Sequence, residues 1–345
     1  MANVYTFTLD LDWQLVSQLS ALDRFDAAWT AVERRQSAGL RHLRSLETVR
    51  SAAASTRIEG ARLTDEEVEL LLRQVEISPF QDRDSQEVRG YHDTLLLILD
   101  HHESLDLTVG NIQNLHGRML APCDADAWHR GRFKVQSNVV EATLPDGSKR
   151  VVFRTTDPGF PTEEAMRALV VWHAADSTTH PLVKCALFAY EFLSIHPFQD
   201  GNGRLSRLLT TLLLLKARYS WIQYVSFEHE IESRKADYYR VLHACQSRRP
   251  GENVGPWLGF FLEALLHVQQ KLDLKLRSLE EGEALGVREQ AMLALVGERP
   301  GLPSGEIARR LAIPLPTVKR VLARLVERGR LQRHGRGPGT GYSLV

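Results

Sequence analysis

The sequence predicts an all-α protein: a helical bundle broken by one β-hairpin, followed by a winged-helix domain at the C-terminal end. Three observations predict it. Apolar residues recur at helical spacing through most of the 345 residues. One segment, Val135 to Thr155, breaks that pattern with β-prone residues. From about Leu285 the chain turns into short helices, a pair of strand signals and an excess of basic residues.

The elements follow in order. Helices are predicted over roughly 12–20, 22–36, 38–58, 64–75 and 84–101. Gly60 is placed to end the third, and Thr64-Asp65-Glu66-Glu67 offers a capping box for the fourth. Thr108 is placed to cap a helix carrying Ile112, Leu115 and Met119; His116, with nothing metal-like around it, reads as structural. Val139-Val140 and Val151-Val152-Phe153 flank the turn signal Leu144-Pro145-Asp146-Gly147-Ser148, which predicts a hairpin over 138–155. Leu182, Cys185, Ala186, Ala189 and Phe192 mark a buried helix ending near Ile195, and Leu205, Leu208, Leu209 and Leu212 mark another that starts near Gly203. Further helices are expected over Ser233 to Ser247 and Val254 to about Leu279. In the tail, Arg288 to Gly297 reads as a helix. Ser304 reads as the cap of a second helix, Thr317 to Leu325 as a third, and Leu331–Arg333 with Tyr342–Leu344 as the strands of a wing. The expected domains are 1–104, a helical region; 105–280, the core; and 285–345, the winged helix.

Composition excludes several classes. Net charge is zero, with 43% apolar and 25% charged residues, so no whole-chain attraction to nucleic acid or membrane is implied. No apolar run is long enough to span a bilayer. The first residues lack the basic flank and apolar stretch of a signal peptide. Cys123, Cys185 and Cys245 are odd in number and widely spaced, which suits free thiols and a cytoplasmic location.

The chemistry concentrates in His196-Pro197-Phe198-Gln199-Asp200-Gly201-Asn202-Gly203-Arg204-Leu205-Ser206-Arg207. A tight loop delivered onto a helix N-terminus is an anion site, because free N–H groups and the helix dipole both favour negative charge. Gly201 and Gly203 can curl the backbone into a nest, with Asn202 between them as a further donor. Arg204 and Arg207 stand where the dipole disfavours cations, a pairing that makes sense against a polyphosphate. Asp200 is a hard oxygen ligand suited to Mg²⁺, and His196 has the pKa range of a general base.

These residues resemble the signature of the Fic family, His-x-Phe-x-(Asp/Glu)-Gly-Asn-Gly-Arg-x-x-Arg, at every specified position. The resemblance implies transfer of AMP from ATP to a Ser, Thr or Tyr hydroxyl of a protein, with Mg²⁺. His196 would be the base, Asp200 the Mg²⁺ ligand, and Gly201, Asn202 and Gly203 the anion hole, with Asn202 near the α-phosphate. Arg204 and Arg207 would hold the outer phosphates. The intact Gly-Asn-Gly disfavours the kinase variant of the family. The hairpin resembles the family's flap, which pairs with an extended stretch of the target protein. Tyr238 and Tyr239 resemble its adenine-side contacts, with core packing as the equal alternative.

Upstream, Ser55-Thr56-Arg57-Ile58-Glu59-Gly60 resembles the family's inhibitory motif, (Ser/Thr)-x-x-x-Glu-(Gly/Asn). A glutamate at a helix C-terminus is poorly placed unless a buried arginine pairs with it. In the family that partner is the second motif arginine, here Arg207, and the pair blocks γ-phosphate seating. A carboxylate there also opens a different activity, aligning a water for removal of AMP from a modified protein.

The tail adds a second function class. From Gly301 to Val345 nine Arg or Lys face two Glu, leaving this segment at +7. Thr317, Lys319, Arg320 and Arg324 lie on the would-be recognition helix, which points to DNA; docking of a protein and dimer contact are the alternatives. Two readings therefore stand: an autoinhibited AMP-transferase, or a DNA-binding regulator with a nucleotide-sensing core. The expected partners are ATP, a target protein at 138–155, DNA at 301–345 and a second copy of the chain.

Overall fold

The computed structural model describes residues 5–10, 12–35, 37–73, 82–143, 149–283, 287–327, 329–335 and 340–345. The chain divides into two compact units, Met1–Leu272 and Asp273–Val345. The architecture is all-α, as the periodicity predicts, with two small antiparallel sheets among the described residues.

The first unit opens with α1 (Trp13–Arg35), a single helix where the sequence predicts two. Asp12 caps it, accepting the N–H of Leu15 at 2.8 Å. Ser20-Ala21-Leu22 holds nothing that interrupts the ladder, alanine being the best helix former, and Leu22 is fully buried. Next come α2 (Ser37–Glu59), α3 (Asp65–Arg73) and α4 (Arg83–His101). Buried Ala52, Ala53 and Ala54 let α2 lie close to its neighbours, chiefly α4. It closes where the N–H of Ala61 reaches the Thr56 carbonyl at 3.1 Å. The expected capping box is present: Thr64 N–H donates to Glu67 at 2.8 Å, and Glu67 N–H to the Thr64 hydroxyl at 3.2 Å. The last two residues predicted for this helix, 74 and 75, lie outside the described residues.

Thr108 caps α5 (Val109–Met119) as predicted, accepting from the N–H of Asn111 at 3.1 Å. The hairpin pairs β1 (Val139–Thr143) with β2 (Lys149–Arg154), with a register shift between Val140 and Glu141; its turn, 144–148, lies outside the described residues. Then follow α6 (Phe160–Ala175), α7 (Pro181–Ile195) and α8 (Asn202–Lys216). α7 and α8 pack on each other and are buried on nearly every side, so they form the centre of the unit.

The helix predicted over 233–247 is α10 (Lys235–Gln246), and a short helix that the sequence reading did not predict, α9 (Phe227–Ser233), precedes it. They part at Arg234, which leaves helical geometry at φ −118° and ψ 26°. Its guanidinium pairs with Glu263 at 2.8 Å and lies over the Phe260 ring. α11 (Gly255–Glu283) follows.

The second unit contains α12 (Val287–Glu298), β3 (Leu302–Pro303), α13 (Ser304–Leu311), α14 (Leu315–Glu327), β4 (Leu331–His334) and β5 (Gly341–Leu344). The strands order β3-β5-β4. Met292, Ile307, Leu322 and Leu325 anchor its core. Three helices and a small antiparallel sheet make up this unit, and β4 and β5 fall where the sequence predicts paired strands. Ser304 is not the cap: Pro303, held extended by pairing to β5, takes that place and Ser304 becomes the first helical residue. Arg328 and Arg336 lie outside the described residues.

Candidate active site

The predicted loop joins α7 to α8, and the fold braces it from three sides. His196 ends α7 in left-handed geometry (φ 52°, ψ 60°), its N–H still bonded to the Phe192 carbonyl at 2.9 Å. Such a backbone is unfavourable for a non-glycine residue and persists only where its surroundings impose it. Lys134 imposes part of it. Its backbone N–H reaches the Pro197 carbonyl at 2.9 Å, and its buried ammonium donates to the Ile195 carbonyl, Asn138 and Thr155. Burial lowers this lysine to about 8. Burial, followed by the Lys134 charge, lowers His196 to about 4, so its imidazole is neutral and free to accept a proton at physiological pH.

The second brace is His116, structural as expected. Its Nδ1 accepts from the Gly131 N–H at 3.0 Å, so its Nε2 carries the proton and donates to the Asp200 carbonyl at 3.0 Å. The ring stacks on Phe198 with centroids 3.8 Å apart, and burial lowers its pKa to about 4. The third is Asn202, which closes the loop on itself. Phe198 N–H donates to its Oδ1 at 2.9 Å, and its Nδ2 donates to the Phe198 carbonyl at 2.8 Å. One N–H of its amide is thus committed to the loop, and the second N–H of Nδ2 is left over.

Gly201 starts α8 at φ 77°, a conformation that suits glycine. The first N–H groups of α8 have no intrahelical acceptor. Into this space comes Glu59: a Cβ on Gly203 would meet Glu59 Oε1 at 2.3 Å. The same oxygen pairs with Arg207 Nη2 at 2.7 Å. Arg207 is 2% exposed, and its Nη1 has no hydrogen-bond partner among the described residues. Burial opposes its charge, but Glu59 and the nearby tyrosines outweigh burial and raise its pKa.

Arg204 faces a different set. It pairs with Glu87 at 2.9 Å and Asp200 at 3.3 Å, while Arg83 pairs with Asp200 and Glu87. Burial pushes the Asp200 carboxyl up, but Arg204, the Gly201 N–H and Arg83 together hold it below the usual range. Among the described residues no cluster of three or more His, Cys, Asp and Glu is placed to hold a metal. A single half-exposed carboxylate suits Mg²⁺ all the same, since that ion takes most of its ligands from phosphate and water. Asp200 is the residue that would hold it.

Tyr238 is buried against Trp257 and Phe260. Tyr239 is half-buried, edge-on to Tyr238. Ser55 bonds Arg207 directly, its hydroxyl accepting from Nε at 2.8 Å. In the second unit Lys319 and Arg320 are exposed and Thr317 is half-buried, whereas Arg324 is tied to buried Glu289 at 2.5 Å. Arg324 nevertheless keeps about half of its side chain exposed.

A buried helix ends at a neutral histidine, a stapled loop follows, and the next helix opens with its anion site against a buried arginine. Residues 106–214 match the model of the Fic/DOC family. Residues 290–335 match that of the IclR helix-turn-helix domain. Over 117 residues, 34% of this chain and 22% of the relative, the chain is 35% identical to protein adenylyltransferase Fic of Drosophila sechellia. It is 27% identical over 197 residues to protein adenylyltransferase fic-1 of Caenorhabditis briggsae, covering 54% of this chain and 34% of that one. The chain thus spans only about a fifth to a third of the length of these relatives. A Fic family protein from Desulfovibrio desulfuricans shares the fold with a TM-score of 0.68, at 24% identity, over 99% of this chain and 98% of that one.

Reading the sequence alone missed Lys134, Arg83 and Glu87. Arg83 and Glu87 look like an ordinary exposed i,i+4 pair, and only the approach of α8 turns them into neighbours of Asp200.

Proposed function

We propose that this chain is a protein adenylyltransferase, moving AMP from ATP to a Ser, Thr or Tyr hydroxyl of a protein, and that Glu59 holds it back. One observation carries this: a carboxylate, Glu59, is seated at the N-terminus of α8 against buried Arg207, where an outer phosphate of ATP would bind. The names of the Drosophila and Caenorhabditis relatives support the same reaction.

The step is a displacement at phosphorus. The target hydroxyl attacks the α-phosphorus and neutral His196 takes its proton. The new O–P bond forms as the bond to pyrophosphate breaks, and pyrophosphate leaves. The free N–H groups of α8 and Arg207 hold the phosphate oxygens, and Arg204 keeps Asp200 ionised. Mg²⁺ bound through Asp200 would neutralise the departing charge. The hairpin offers backbone edges to an extended stretch of the target.

The test is incubation of wild type, Glu59→Gly and Glu59→Gly/His196→Ala with Mg²⁺ and α-labelled ATP, read by gel and mass spectrometry. An AMP adduct confined to the Glu59→Gly protein is the expected result. No adduct in any protein, with host lysate supplying targets, would overturn it.

A second reading concerns the other unit. Lys319 and Arg320 stand exposed near the start of α14, with Arg333 exposed on β4, and the segment matches a helix-turn-helix family. We propose that this unit binds DNA. Anisotropy titrations of labelled duplex across a salt series test it, and affinity indifferent to salt would count against it.

A further inference from the structure

The two ends of the hairpin meet at a knot of polar groups. Asn138 stands immediately before β1 and Thr155 immediately after β2, one step beyond the paired Val139 and Arg154. The Thr155 hydroxyl donates to the backbone carbonyl of Asn138 at 2.8 Å and to its Oδ1 at 2.6 Å. Lys134 joins them from below. Its buried ammonium donates to Asn138 Oδ1 at 2.9 Å, to Thr155 Oγ1 at 2.8 Å and to the Ile195 carbonyl at 3.1 Å. An ammonium has three protons, and here each one goes to a neutral oxygen. Burying that charge is costly in itself; what the lysine supplies in return is a fixed geometry.

Three bonds cross from this knot to the loop of His196. The Lys134 ammonium holds the carbonyl of Ile195, just before the histidine, and the Lys134 N–H holds that of Pro197 at 2.9 Å. Asn138 Nδ2 donates to the Phe198 carbonyl at 3.0 Å. His196 is therefore pinned on both sides by groups that also close the base of the hairpin. Neither can shift without pulling on the other.

We propose that Lys134, Asn138 and Thr155 are positioning residues: they fix the hairpin, and with it a target strand paired to its edge, at a set distance from His196. This rests on the adenylyltransferase reading above. A strand added to a hairpin lies at the spacing of a β-ladder, so the hairpin decides where the target hydroxyl arrives. That hydroxyl must come within hydrogen-bond reach of His196, and a misplacement of about 1 Å can cost about 10²-fold in rate. The phosphates of ATP are held elsewhere, by the N-terminus of α8 and Arg207. Loss of the knot should therefore slow transfer and spare the nucleotide.

Thr155 gives the discriminating pair of variants. In the Glu59→Gly protein, Thr155→Val keeps the shape and removes the hydroxyl, whereas Thr155→Ser keeps the hydroxyl and removes a methyl. Labelling from α-labelled ATP, with host lysate supplying targets, gives the rate of transfer; calorimetric titration in Mg²⁺ gives the affinity for ATP. The expected result for Thr155→Val is a loss of about tenfold or more in rate, the scale of one buried hydrogen bond or a small misplacement. Thr155→Ser should recover the rate to within about threefold, and ATP affinity should stay within about twofold in both. Asn138→Asp, which keeps the acceptor but loses the donor to Phe198, should also lower the rate and not the affinity. An unchanged rate in Thr155→Val overturns the inference. So does a loss in Thr155→Ser as large as in Thr155→Val, which would mean packing alone, or a fall in ATP affinity equal to the fall in rate. A Glu59→Gly parent that labels nothing overturns the transferase reading and this inference with it.

Discussion

Two helices in this chain carry paired cations near their N-termini, and they treat them in opposite ways. On α8, Arg204 and Arg207 are sunk into the protein and matched by Glu87, Asp200 and Glu59. On α14, Lys319 and Arg320 stand in solvent. A sunk guanidinium is aimed before its ligand arrives and feels little salt, so it selects one geometry. An exposed cation attracts any polyanion within the screening length and loses that pull as salt rises. The first arrangement suits a small phosphate ligand held for chemistry, and the second suits a long one held loosely.

The difference can be broken from either side. The largest effect belongs to the chemistry: in the Glu59→Gly protein, His196→Ala should lower the rate of AMP labelling by about 10²–10⁴-fold, the usual worth of a general base. ATP binding by calorimetry should stay within a few-fold. Next is the stability of the sunk pair. Stripping a partner from a fully buried charge costs about 3–5 kcal/mol. The Glu59 side chain is 30% exposed, so Glu59→Gly should cost less, about 1–3 kcal/mol by denaturant titration. ATP should restore stability to the variant by mass action.

The exposed pair should behave otherwise. Lys319→Ala and Arg320→Ala should each weaken DNA binding by a few-fold and flatten its salt slope by about 0.9 per lost phosphate contact. ATP affinity should not move. Arg324→Ala should flatten that slope by less, because its charge is already paired with Glu289. The smallest effect is the response to pH. The neutral form of His196 persists down to about 4, so labelling should stay level as pH falls through 6.5; an acid limb centred there would refute the buried base. Stability should behave differently. His116 and His196 both have lowered pKa values, so the unfolded chain takes up protons first. Their contribution, present above about 6.5, is therefore lost as pH falls toward 4, and thermal melts across that window measure the slope.

The loop was legible in the sequence because its parts are local: base, carboxylate, glycines and arginines lie within one turn and one helix start. Thr64, Thr108 and the hairpin were legible for the same reason. Contacts across the chain were not. Nothing in the spacing distinguishes Lys134 from a surface lysine until its ammonium meets the Ile195 carbonyl. Nor does spacing reveal that Arg324 spends its charge on Glu289, one helix away in the fold and far off in sequence. Tyr238 carries the same lesson, since an aromatic pair reads alike whether it lines a wall or fills a core.

On the reading proposed above, the seat of Glu59 beside Gly203 turns affinity for ATP into a ratio of two equilibria. Nucleotide and carboxylate contend for one guanidinium, so an observed dissociation constant is the intrinsic one divided by the fraction of molecules in which the seat is free. If that fraction is about one in a hundred, ATP binds about a hundredfold more weakly than the open site allows. Enough ATP then does what Glu59→Gly does. On this account the protein is graded by the concentration of its own substrate, and the length of one side chain sets the threshold.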